Sequence, residues 1–390
     1  MLLWLCIGII FYVYAGYPVL LFLLSKVKPS PAPYAFTEPS VTLLIAAYNE
    51  AQNIREKLDN TLKIDYPREK LQIIVTADGS DDGTDGIVRQ YAYEGIELMY
   101  TPARSGKMAA INRAMPAVNG KIVVFSDANN IFDPKAILKL VTPFSDPSVG
   151  CVTGSKIILE GDGILNRSEG LYWKYESFIR KYETATGNCT GVNGEILAVR
   201  RDLFEPPPEH IINDDLYMAL QIIRKGLRVV YVPEARSCEA ASVTAADEAE
   251  RRARIVAGRY QIMAASLHLL PFRRPFVVLQ IISHKFLRPL IPFFMIFTLV
   301  FNIIAVLPKF SDSSFLLYIT FPINWILLIL QVFFYCMAFI GNYFQLRGSA
   351  GKMLYVPTFL LNSNFAGITG FYRFLGKRQS VIWKRLQRQK

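Results

Sequence analysis

Residues 121–130 read KIVVFSDANN, an apolar run that ends in one carboxylate and two amides. Consecutive apolar residues such as IVVF are typical of a strand that is buried on both faces of a sheet. Asp127 and Asn129 follow, and side chains two residues apart on an extended segment point to the same side. The stretch therefore predicts a buried strand that presents two oxygen-bearing side chains at one edge of a sheet.

Similar strands precede this one and alternate with helices. The segments 40–47 (SVTLLIAA), 71–78 (LQIIVTAD) and 96–101 (IELMYT) are largely apolar, and stretches with helical spacing separate them. Apolar strands that alternate with helices indicate a parallel sheet covered on both faces. We therefore expect one α/β domain over residues 38–260.

Polar residues follow three of these strands where each strand ends. Tyr48 and Glu50 follow the first, Asp78 ends the second, and Asp127 ends a later one. Ligands of parallel sheets bind at this edge, and carboxylate and amide oxygens suit Mg²⁺ or Mn²⁺ that bridges phosphates. Lys107, in SGKMAAIN, adds a cation, although its segment lacks the P-loop frame. A single acidic residue here often only caps a helix or a turn, but recurrence at three strand ends favours phosphate binding.

The two ends of the chain are its apolar parts. Residues 1–27 carry no charge before Lys26 and are long enough to cross an apolar layer of about 30 Å. A cleaved signal peptide is the alternative, but its basic start and small-residue cleavage site are missing. Apolar runs at 289–307 and 315–343, separated by PKFSDSS, predict a transmembrane hairpin over 289–343.

The C-terminal segment 353–390 is less regular. The apolar run 353–374 is interrupted by proline, asparagine and glycine, and basic segments stand on both sides of it, QLRGSAGK before and YRFLGKRQ after. The positive-inside rule places both flanks on the cytoplasmic side, which one crossing between them would not allow. We therefore expect three spans, an interfacial or re-entrant segment over 353–374, and a basic cytoplasmic tail.

The net charge of +11 comes from 43 Lys and Arg against 32 Asp and Glu. Residues 261–288 mix aromatic, aliphatic and basic residues, which predicts amphipathic helices at a membrane interface. Contact with anionic membrane lipids explains the positive charge, and nucleic acid is disfavoured because no basic and aromatic platform recurs in the central region. The five cysteines form no CxxC pair, so neither a disulfide framework nor a zinc site is indicated.

Six motifs in the central region carry a family resemblance. In chain order they are VTLLIAAYNE, ADGSDDGT, SGKMAAIN, SDAN, TGVNGEILAVRRDLF and NDDLYMALQIIRKG. This series resembles the family 2 glycosyltransferases with a GT-A catalytic domain, in particular the membrane-bound branch of cellulose, hyaluronan and poly-N-acetylglucosamine synthases. Over residues 38–260 the resemblance implies a Rossmann-like α/β GT-A fold. It also implies inverting sugar transfer from a nucleoside diphosphate sugar, usually UDP-linked.

The resemblance implies a role for each residue at the predicted sheet edge. Ala47, Tyr48, Glu50 and Asp78 match positions that hold the nucleobase and ribose of the donor. Lys107 matches a lysine that lies beside these positions.

A metal site is implied by the segment DAN, which matches the DxD motif of the family. Asp127 resembles the residue that contacts the sugar and ribose side of the donor and the metal, and Asn129 stands where the direct ligand of Mg²⁺ or Mn²⁺ is expected. An amide keeps an oxygen ligand but removes a charge, so we expect a lower metal affinity than a carboxylate would give.

The segment NDD, residues 213–215, resembles the TED motif that ends in the general base. Asp215 is thus implied to take the proton of an acceptor hydroxyl as it attacks from the face opposite the leaving diphosphate. Asp214 is implied to orient Asp215 or to shape the acceptor site. The alternative is that both residues only cap the helix that begins at Leu216.

The QxxRW motif of processive synthases is altered in this chain. Arg251 stands in the place of its Gln and Ile255 in the place of its Trp, while Arg254 remains. Arg252 and Arg254 point in different directions on one helix, so at most one or two of the three arginines can face the diphosphate. Such an arginine would stabilise the departing UDP through charge-assisted bonds. The missing Trp leaves processive and single addition both open.

Two functions remain open on the sequence. The first is a metal-dependent glycosyltransferase that moves a sugar from UDP-glucose, UDP-N-acetylglucosamine or a similar donor to a surface polysaccharide or a lipid-linked acceptor, including non-processive glycolipid formation. The second is a catalytically weak nucleotide-sugar-binding subunit of a membrane complex, which the altered DxD and QxxRW motifs keep open. Retention of Asp215, Lys107 and Asp127 favours the enzyme. We expect a multi-pass protein of the plasma membrane or cell inner membrane with a cytoplasmic catalytic domain. Polymer extrusion by three spans would require a homo-oligomer or a membrane partner subunit.

Overall fold

The computed structural model of the chain describes residues 1–28, 33–158, 164–239, 245–307, 321–344 and 348–380, and the eight strands in these residues form one sheet. In chain order the strands are β1 (Val41–Ala47), β2 (Leu71–Asp78), β3 (Ile96–Thr101), β4 (Ile122–Asp127), β5 (Ile131–Phe132), β6 (Val149–Ile158), β7 (Leu197–Arg200) and β8 (Arg228–Glu239).

The sheet has the strand order β3-β2-β1-β4-β7-β6-β8-β5. β1 pairs in parallel with β2 and β4, and β2 pairs in parallel with β3. These pairings confirm the α/β sheet that the apolar strands predicted. β7 runs antiparallel to β4 and β6, so the whole sheet is mixed. The four residues LAVR of β7 carry no pattern that distinguishes the two strand directions.

The parallel register brings three strand ends to one edge. Val41 lies opposite Leu71 on one side and Ile122 on the other, and the pairing continues until Ala46 lies opposite Asp127. A slip by one residue would turn each of these side chains to the other face of the sheet. The register therefore decides which polar side chains meet at the carboxyl ends of the strands.

Helices cover both faces of the sheet. In chain order the helices are α1 (Leu2–Phe11), α2 (Tyr17–Val27), α3 (Ile54–Leu62), α4 (Thr84–Arg89), α5 (Lys107–Ala114), α6 (Ala136–Val141), α7 (Ile164–Thr186), α8 (Asp214–Arg224), α9 (Ala245–Ala264), α10 (Ser266–Leu269), α11 (Pro275–Ile281), α12 (Leu287–Val306), α13 (Ile323–Phe344) and α14 (Gly348–Leu375). Helices α3, α4 and α6 pack on the face of β1 that carries Leu43 and Ile45, and α5 and α8 pack on the face that carries Leu44. Successive residues of β1 are thus buried on opposite faces, which a doubly covered sheet requires.

Three helices of the described residues are long and apolar enough to cross a membrane. The first runs from Leu2 to Val27, and the second from Pro275 to Val306. Each contains a short π-helical segment, Tyr12–Gly16 in the first and Ile282–Phe286 in the second. The third is α13, so the number of helices of this kind agrees with the apolar runs of the sequence.

The second of these helices begins earlier than the sequence pattern indicated. We expected amphipathic interface helices over 261–288 and a separate span after them, but one helix continues unbroken from Pro275. Its first half packs into the catalytic domain, where Ile281 is wholly buried. Charged residues that interrupt the apolar pattern here are therefore covered by protein. Residues 308–320 of the expected hairpin and 381–390 of the expected tail lie outside the described residues.

The helix α14 continues through the residues that interrupt its apolar pattern. Pro357 lies inside the helix, and Gly367 and Gly370 lie where α14 packs closely on other helices. A Cβ atom on Gly370 would lie 2.8 Å from the carbonyl oxygen of Ala253 in α9, and one on Gly367 would lie 3.1 Å from Pro292 in α12. The two glycines thus allow close helix packing. Helix α14 packs against α9, which carries the three arginines considered as ligands of the diphosphate.

Replacing Gly370 by alanine tests this packing. The new Cβ would lie 2.8 Å from atoms of both Ala253 and Val256, so α14 must move, and we expect a loss of stability of about 1–3 kcal/mol. The measurement is the midpoint of thermal unfolding in detergent. Gly86→Ala in α4 is the matched control, because nothing lies within 4 Å of its new Cβ and alanine favours a helix by about 0.5–1 kcal/mol. Equal midpoints for the two variants would contradict the close contact of α14 with α9.

Candidate active site

A cleft opens at the carboxyl ends of β1 and β2, where the strand ends meet. The cleft is open to solvent. Its lining residues are Ala46, Ala47, Tyr48, Thr76, Asp78, Arg104, Gly106, Lys107 and Ala110. Four residues predicted to bind the donor, Ala47, Tyr48, Asp78 and Lys107, therefore share one cleft.

The inner part of the cleft combines an aromatic ring, a guanidinium group and a carboxylate. The Arg104 guanidinium lies 3.6 Å from the centre of the Tyr48 ring. Asp78 is buried, and its Oδ2 accepts hydrogen bonds from the backbone N–H groups of residues 105 and 106 at 3.0 and 2.6 Å. Its Oδ1 accepts no hydrogen bond from the described residues, and a guanidinium nitrogen of Arg113 lies 3.5 Å away. The cleft thus combines the positively charged Arg104–Tyr48 stack with an oxygen of Asp78 that can accept a hydrogen bond from a ligand.

Glu50 has a local role in the loop after β1. It is buried, its Oε2 accepts a hydrogen bond from Asn53 at 2.6 Å, and its backbone N–H donates to Thr84 at 2.8 Å. Asn49, whose φ of 52° lies in the left-handed region, exchanges hydrogen bonds with Asp81 at 2.7 and 3.0 Å. These contacts join the loops after β1 and β2. Glu50 is not among the residues that line the cleft.

Lys107 and Asp127 form an ion pair between α5 and β4. Lys107 Nζ lies 2.5 Å from Asp127 Oδ1, and both side chains are largely buried. Burial alone would raise the pKa of Asp127, but the charge and the hydrogen bond of Lys107 outweigh it and hold the pKa below its ordinary value. Burial alone would likewise lower the pKa of Lys107, but the charges of Asp127 and Asp214 raise it. Both groups are therefore charged at neutral pH.

Asn129 faces a carboxylate from the far end of β8. Its Nδ2 donates a hydrogen bond to Glu239 Oε1 at 3.1 Å, which leaves Oδ1 as the amide atom that can face a ligand. Glu239 is buried and pairs with Lys156, which also binds Glu195 Oε2 at 2.9 Å. Asn129 therefore lies next to the carboxylate of Glu239. A carboxylate at position 129 in place of the amide would be repelled by Glu239.

Asn130 and Lys57 form a buried support under the site that the sequence analysis missed. Asn130 Oδ1 accepts hydrogen bonds from Lys57 Nζ and Ser126 Oγ, both at 2.9 Å. Its Nδ2 donates to the carbonyl of Glu195 and to Ser237 Oγ, both at 2.8 Å. Burial lowers the pKa of Lys57 to about 7. The one signal in the sequence is a lysine on the apolar face of the helix predicted in NIREKLDNTL.

Asp214 and Asp215 begin α8, opposite the loop that precedes β7. Asp215 Oδ2 accepts the backbone N–H of Gly194 at 3.2 Å. Burial and then the negative charge of Asp214 raise the pKa of Asp215 to about 6, while the charges of Lys107 and Lys285 act in the opposite direction. A carboxyl group with this pKa can take up and release a proton near neutral pH.

Asn213 holds α9 against the start of α8. Its Nδ2 donates to the carbonyl of Ile255 at 2.8 Å, and a Cβ on Gly258 would lie 2.7 Å from its side chain. Only a residue without a side chain allows this approach. The first residue of the NDD segment thus positions the helix that carries Arg254.

Arg254 is the predicted arginine that faces the site carboxylates. Burial lowers the pKa of its guanidinium below the ordinary value, while the charges of Asp214, Asp215 and Asp127 act in the opposite direction. Its Nε has no hydrogen-bond partner among the described residues. This N–H group is therefore available to an anionic ligand.

Arg251 and Arg252 are directed to other partners. Both pair with Glu248 of the same helix, at 2.9 and 2.5 Å, and Arg252 also donates to Ser363 of α14 at 2.6 Å. Of the three arginines, only Arg254 therefore lies near the carboxylates of the site. Arg252 instead joins α9 to α14.

Asp127 and Asn129 are suited to hold a divalent metal. An ionised carboxylate and an amide oxygen are hard ligands of the kind that Mg²⁺ and Mn²⁺ prefer. Among the described ranges, no group of three His, Cys, Asp or Glu side chains could hold a metal ion. Phosphate oxygens and water would have to complete the coordination shell, as is usual for Mg²⁺. On this chemistry the two residues fit the metal that the family resemblance implies.

Residues 39–258 match the family model described as glycosyltransferase like family 2. The probable glycosyltransferase YdaM from Bacillus subtilis is 27% identical over 223 residues, which cover 52% of this chain and 50% of the relative. Glycosyltransferase AglE from Haloferax volcanii is 27% identical over 212 residues, 53% of this chain and 68% of the relative. A poly-beta-1,6-N-acetyl-D-glucosamine synthase from Staphylococcus aureus is 26% identical over 200 residues, 50% of this chain and 48% of the relative. The chain spans about half the length of the first and third of these relatives.

A similar architecture occurs in a solved structure, the mannosyltransferase PcManGT from Pyrobaculum calidifontis in complex with GDP-Man and Mn²⁺. The TM-score is 0.69 at 24% sequence identity, and the superposition covers 97% of this chain and 100% of the other. The likeness shows a shared fold that includes the helices at both ends of the chain.

Exchange of Asn129 for aspartate tests its contact with Glu239. The variant Asn129→Asp would place a carboxylate where a donor now lies 3.1 Å from Glu239, so we expect a loss of stability of about 1–3 kcal/mol. The double variant Asn129→Asp/Glu239→Gln reverses the direction of the hydrogen bond and should recover most of the loss. The measurement is the midpoint of thermal unfolding in buffer with a metal chelator. A double variant no more stable than the single one would contradict the pairing.

Proposed function

The chain belongs to the glycosyltransferase-like family 2, and from this premise we propose that it is an inverting transferase that uses a nucleoside diphosphate sugar at a membrane. We propose a UDP-sugar of the UDP-glucose or UDP-N-acetylglucosamine type as the donor. The proposed acceptor is a growing surface polysaccharide or a lipid-linked saccharide. The observation that carries the proposal is a carboxyl group of raised pKa, Asp215, close to the Lys107–Asp127 pair at the open edge of the sheet.

The contents of the cleft support the donor assignment. The Arg104 guanidinium stacked at 3.6 Å on Tyr48 offers a cationic surface to a nucleobase. Asp78 offers a carboxylate to the N–H groups of a base or to the hydroxyl groups of ribose. PcManGT was solved with GDP-Man, and the S. aureus relative is named for an N-acetylglucosamine polymer. Uridine and guanosine donors are therefore both needed in the test.

Positive side chains support the assignment of the diphosphate position. Two cationic groups near Asp127 and Asp215 are Lys107 Nζ and the unpartnered Arg254 Nε. Each would form charge-assisted hydrogen bonds with phosphate oxygens as negative charge develops on the leaving group. A Mg²⁺ or Mn²⁺ ion held by Asp127 and Asn129 would supply further neutralisation of the diphosphate.

We assign the general base to Asp215 and a supporting role to Asp214. The acceptor hydroxyl oxygen bonds to the anomeric carbon as the bond from that carbon to the diphosphate breaks on the opposite face. The electron pair leaves with the nucleoside diphosphate, and the hydroxyl proton passes to the Asp215 carboxylate. One such displacement inverts the anomeric configuration. The negative charge of Asp214 makes Asp215 a stronger base at neutral pH.

Membrane association rests on the three helices of sufficient length and apolarity. The basic residues on both sides of the apolar run 353–374 favour a cytoplasmic catalytic domain under the positive-inside rule. We therefore propose a multi-pass protein of the plasma membrane or cell inner membrane. Because α14 packs on α9, the helix that carries Arg254, an acceptor held by the membrane helices would lie near Arg254 and Asp215.

Release of nucleoside diphosphate from a panel of donors tests the function. We expect the purified protein to release UDP from at least one UDP-sugar, and Mn²⁺ or Mg²⁺ to increase the rate. GDP-sugars are included as the second arm. Tight nucleotide binding without turnover of any donor would instead support the nucleotide-sugar-binding subunit.

The variant Asp215→Asn tests the base. Loss of the proton acceptor should lower the rate of sugar transfer by roughly 10²–10⁴-fold. Nucleotide binding, measured by calorimetry, should change little because Asp215 lies at the acceptor side in the proposed arrangement. Glu205→Gln, at a largely exposed surface position, is the charge-matched control. Transfer by Asp215→Asn at the wild-type rate would reject the assignment.

The pH dependence gives an independent check on the same residue. A base must be ionised to act, and the pKa of Asp215 is raised to about 6. We therefore expect the transfer rate to fall as the pH falls below about 6 and to level off above about 7. Asp214→Asn removes a negative charge that raises this pKa, so the falling limb should move to lower pH. An unchanged limb in Asp214→Asn would show that another group controls it.

A further inference from the structure

The carboxylate of Glu239 is directed at Asn129, one of the two residues that suit a divalent metal. Glu239 ends β8, it is 3% exposed, and its Oε1 lies 3.1 Å from Asn129 Nδ2. Two acceptor oxygens would repel each other across this distance, so the contact requires the N–H of the amide on the side of Glu239. The contact therefore turns Oδ1 of Asn129 away from Glu239.

Glu239 is itself held in place by Lys156 of β6. The ammonium group of Lys156 bonds Glu239 Oε2, and it also bonds Glu195 Oε2 at 2.9 Å. Lys156 is 5% exposed, so protein covers this ion pair. Because a buried cation binds one oxygen of Glu239, the other oxygen keeps a fixed direction toward Asn129. Contacts that run from β6 to β8 thus fix the amide in the segment between β4 and β5.

The positive charge of Lys156 alone would act against a metal ion at this site. Lys107 and Lys156 both act on Asp127 with their charges, and each would repel a divalent cation bound to Asp127. Glu195 and Glu239 pair with Lys156. The two carboxylates outweigh the charge of the one lysine, so these three groups together carry a net negative charge close to the amide.

An amide that donates its N–H to a carboxylate is a better metal ligand through its oxygen. The negative charge shifts electron density toward the amide oxygen, and the hydrogen bond holds that oxygen in one orientation. Carboxylates act in the same way on the histidine ligands of metals, where loss of the outer partner typically lowers metal affinity by roughly 10–100-fold. Glu239 has this relation to Asn129.

We propose that Glu239 is a positioning residue for the metal site, where it orients the amide of Asn129 and supplies the negative charge that DAN lacks relative to DxD. This inference rests on the proposed metal-dependent transferase function and deepens it. Asn129 and Asp127 bind Mg²⁺ or Mn²⁺ directly, and Glu239 acts only through Asn129. The charge that a second aspartate of the motif would bring is thus supplied from β8.

The variant Glu239→Gln tests the orientation of the amide. Lys156 would still attract the remaining oxygen of residue 239, so the new NH₂ group would face Asn129. The amide of Asn129 would then have to turn its own oxygen toward that NH₂ group and its N–H toward the metal, which an N–H group cannot bind. We expect Glu239→Gln to weaken Mn²⁺ binding by roughly 10–100-fold.

The measurement is equilibrium dialysis of Mn²⁺ against the full-length protein in neutral detergent. UDP is present on both sides of the dialysis membrane, and GDP replaces it in a second series. Only Mn²⁺ held by the protein and its bound nucleotide appears as an excess on the protein side, so the measurement does not depend on turnover. Wild-type affinity in Glu239→Gln would overturn the proposal, and so would a wild-type protein that binds no Mn²⁺ with either nucleotide.

Two variants separate the contact with Asn129 from the general charge of the region. Glu195→Gln removes a charge from the same lysine but keeps Glu239 at Asn129, so it should weaken Mn²⁺ binding less than Glu239→Gln does. Asn129→Asp/Glu239→Gln moves the carboxylate to position 129 and keeps a hydrogen bond between the two positions, so it should restore most of the affinity. Equal losses in the two single variants, or a double variant that binds no more tightly than Glu239→Gln, would contradict the role of Glu239.

A further double variant keeps the test decisive if Glu239→Gln does not fold, which thermal unfolding in a metal chelator would show. Lys156→Met/Glu239→Leu removes both charges of the buried pair, which costs less stability than removal of one. The net charge that Lys156, Glu195 and Glu239 contribute is unchanged, and only the contact with Asn129 is lost. This variant should also bind Mn²⁺ more weakly than wild type, and an unchanged affinity would reject the proposal.

Donor turnover distinguishes failure of this inference from failure of the transferase function. Glu239→Gln should need a higher Mn²⁺ concentration for half of its maximal rate, with an unchanged donor KM at saturating Mn²⁺. The same Mn²⁺ dependence in Glu239→Gln and wild type would reject the role of Glu239 and retain the transferase. Absence of turnover with every donor would reject the transferase, whereas the dialysis result decides the role of Glu239 separately.

Discussion

Parallel pairing of β1 with β2 and β4 is the constraint on which the site depends. The pairing places Ala46 opposite Asp127 and Ala47 opposite Ala77, so the residues that follow β1 and β2 and those that end β4 meet at one edge. Each strand is buried on both faces, so a slip by one residue would turn every side chain into the core on the other face, where the packing fits different side chains. The cleft, the Lys107–Asp127 pair and the amide at position 129 all follow from this alignment.

The sequence predicted the elements whose signals are local. Apolar runs identify a buried strand without reference to the rest of the chain, and polar residues at the ends of three such runs identify the ligand edge. Lys57, Lys156 and Glu239 were not predicted, since their partners are distant in the chain and no local pattern relates a lysine in α3 to an asparagine after β4. The partners of Arg251 and Arg252 could not be predicted either. Spacing on a helix limits how many arginines share one face, but it does not say which face lies toward the cleft.

Membrane helices were predicted less well where they contact the catalytic domain. A hydropathy pattern assumes that charged residues avoid the membrane, so it began the second span only after residues that the structure instead buries in protein. His284 is 1% exposed and Lys285 5% exposed inside one continuous helix. The glycines of α14 show the converse, because Gly370 lowers the apolar character of its segment and yet allows close packing on α9. A helix buried by protein can contain charged residues and glycines that a helix surrounded by lipid would avoid. Hydropathy alone does not distinguish the two kinds of burial.

Some buried charges of this molecule are paired with other protein groups, whereas Arg254 has a nitrogen that a ligand could pair with. Lys156 pairs with both Glu195 and Glu239 under the sheet edge, which leaves one net negative charge there, and the neutral Asn129 adds no further negative charge. Arg254 Nε is different, since it lies among charged groups and yet lacks a hydrogen-bond partner in the described residues. Burying such groups costs free energy in the absence of a ligand. Arg254 lies near Asp127, Asp214 and Asp215, so the negatively charged diphosphate of the proposed donor would complete the site.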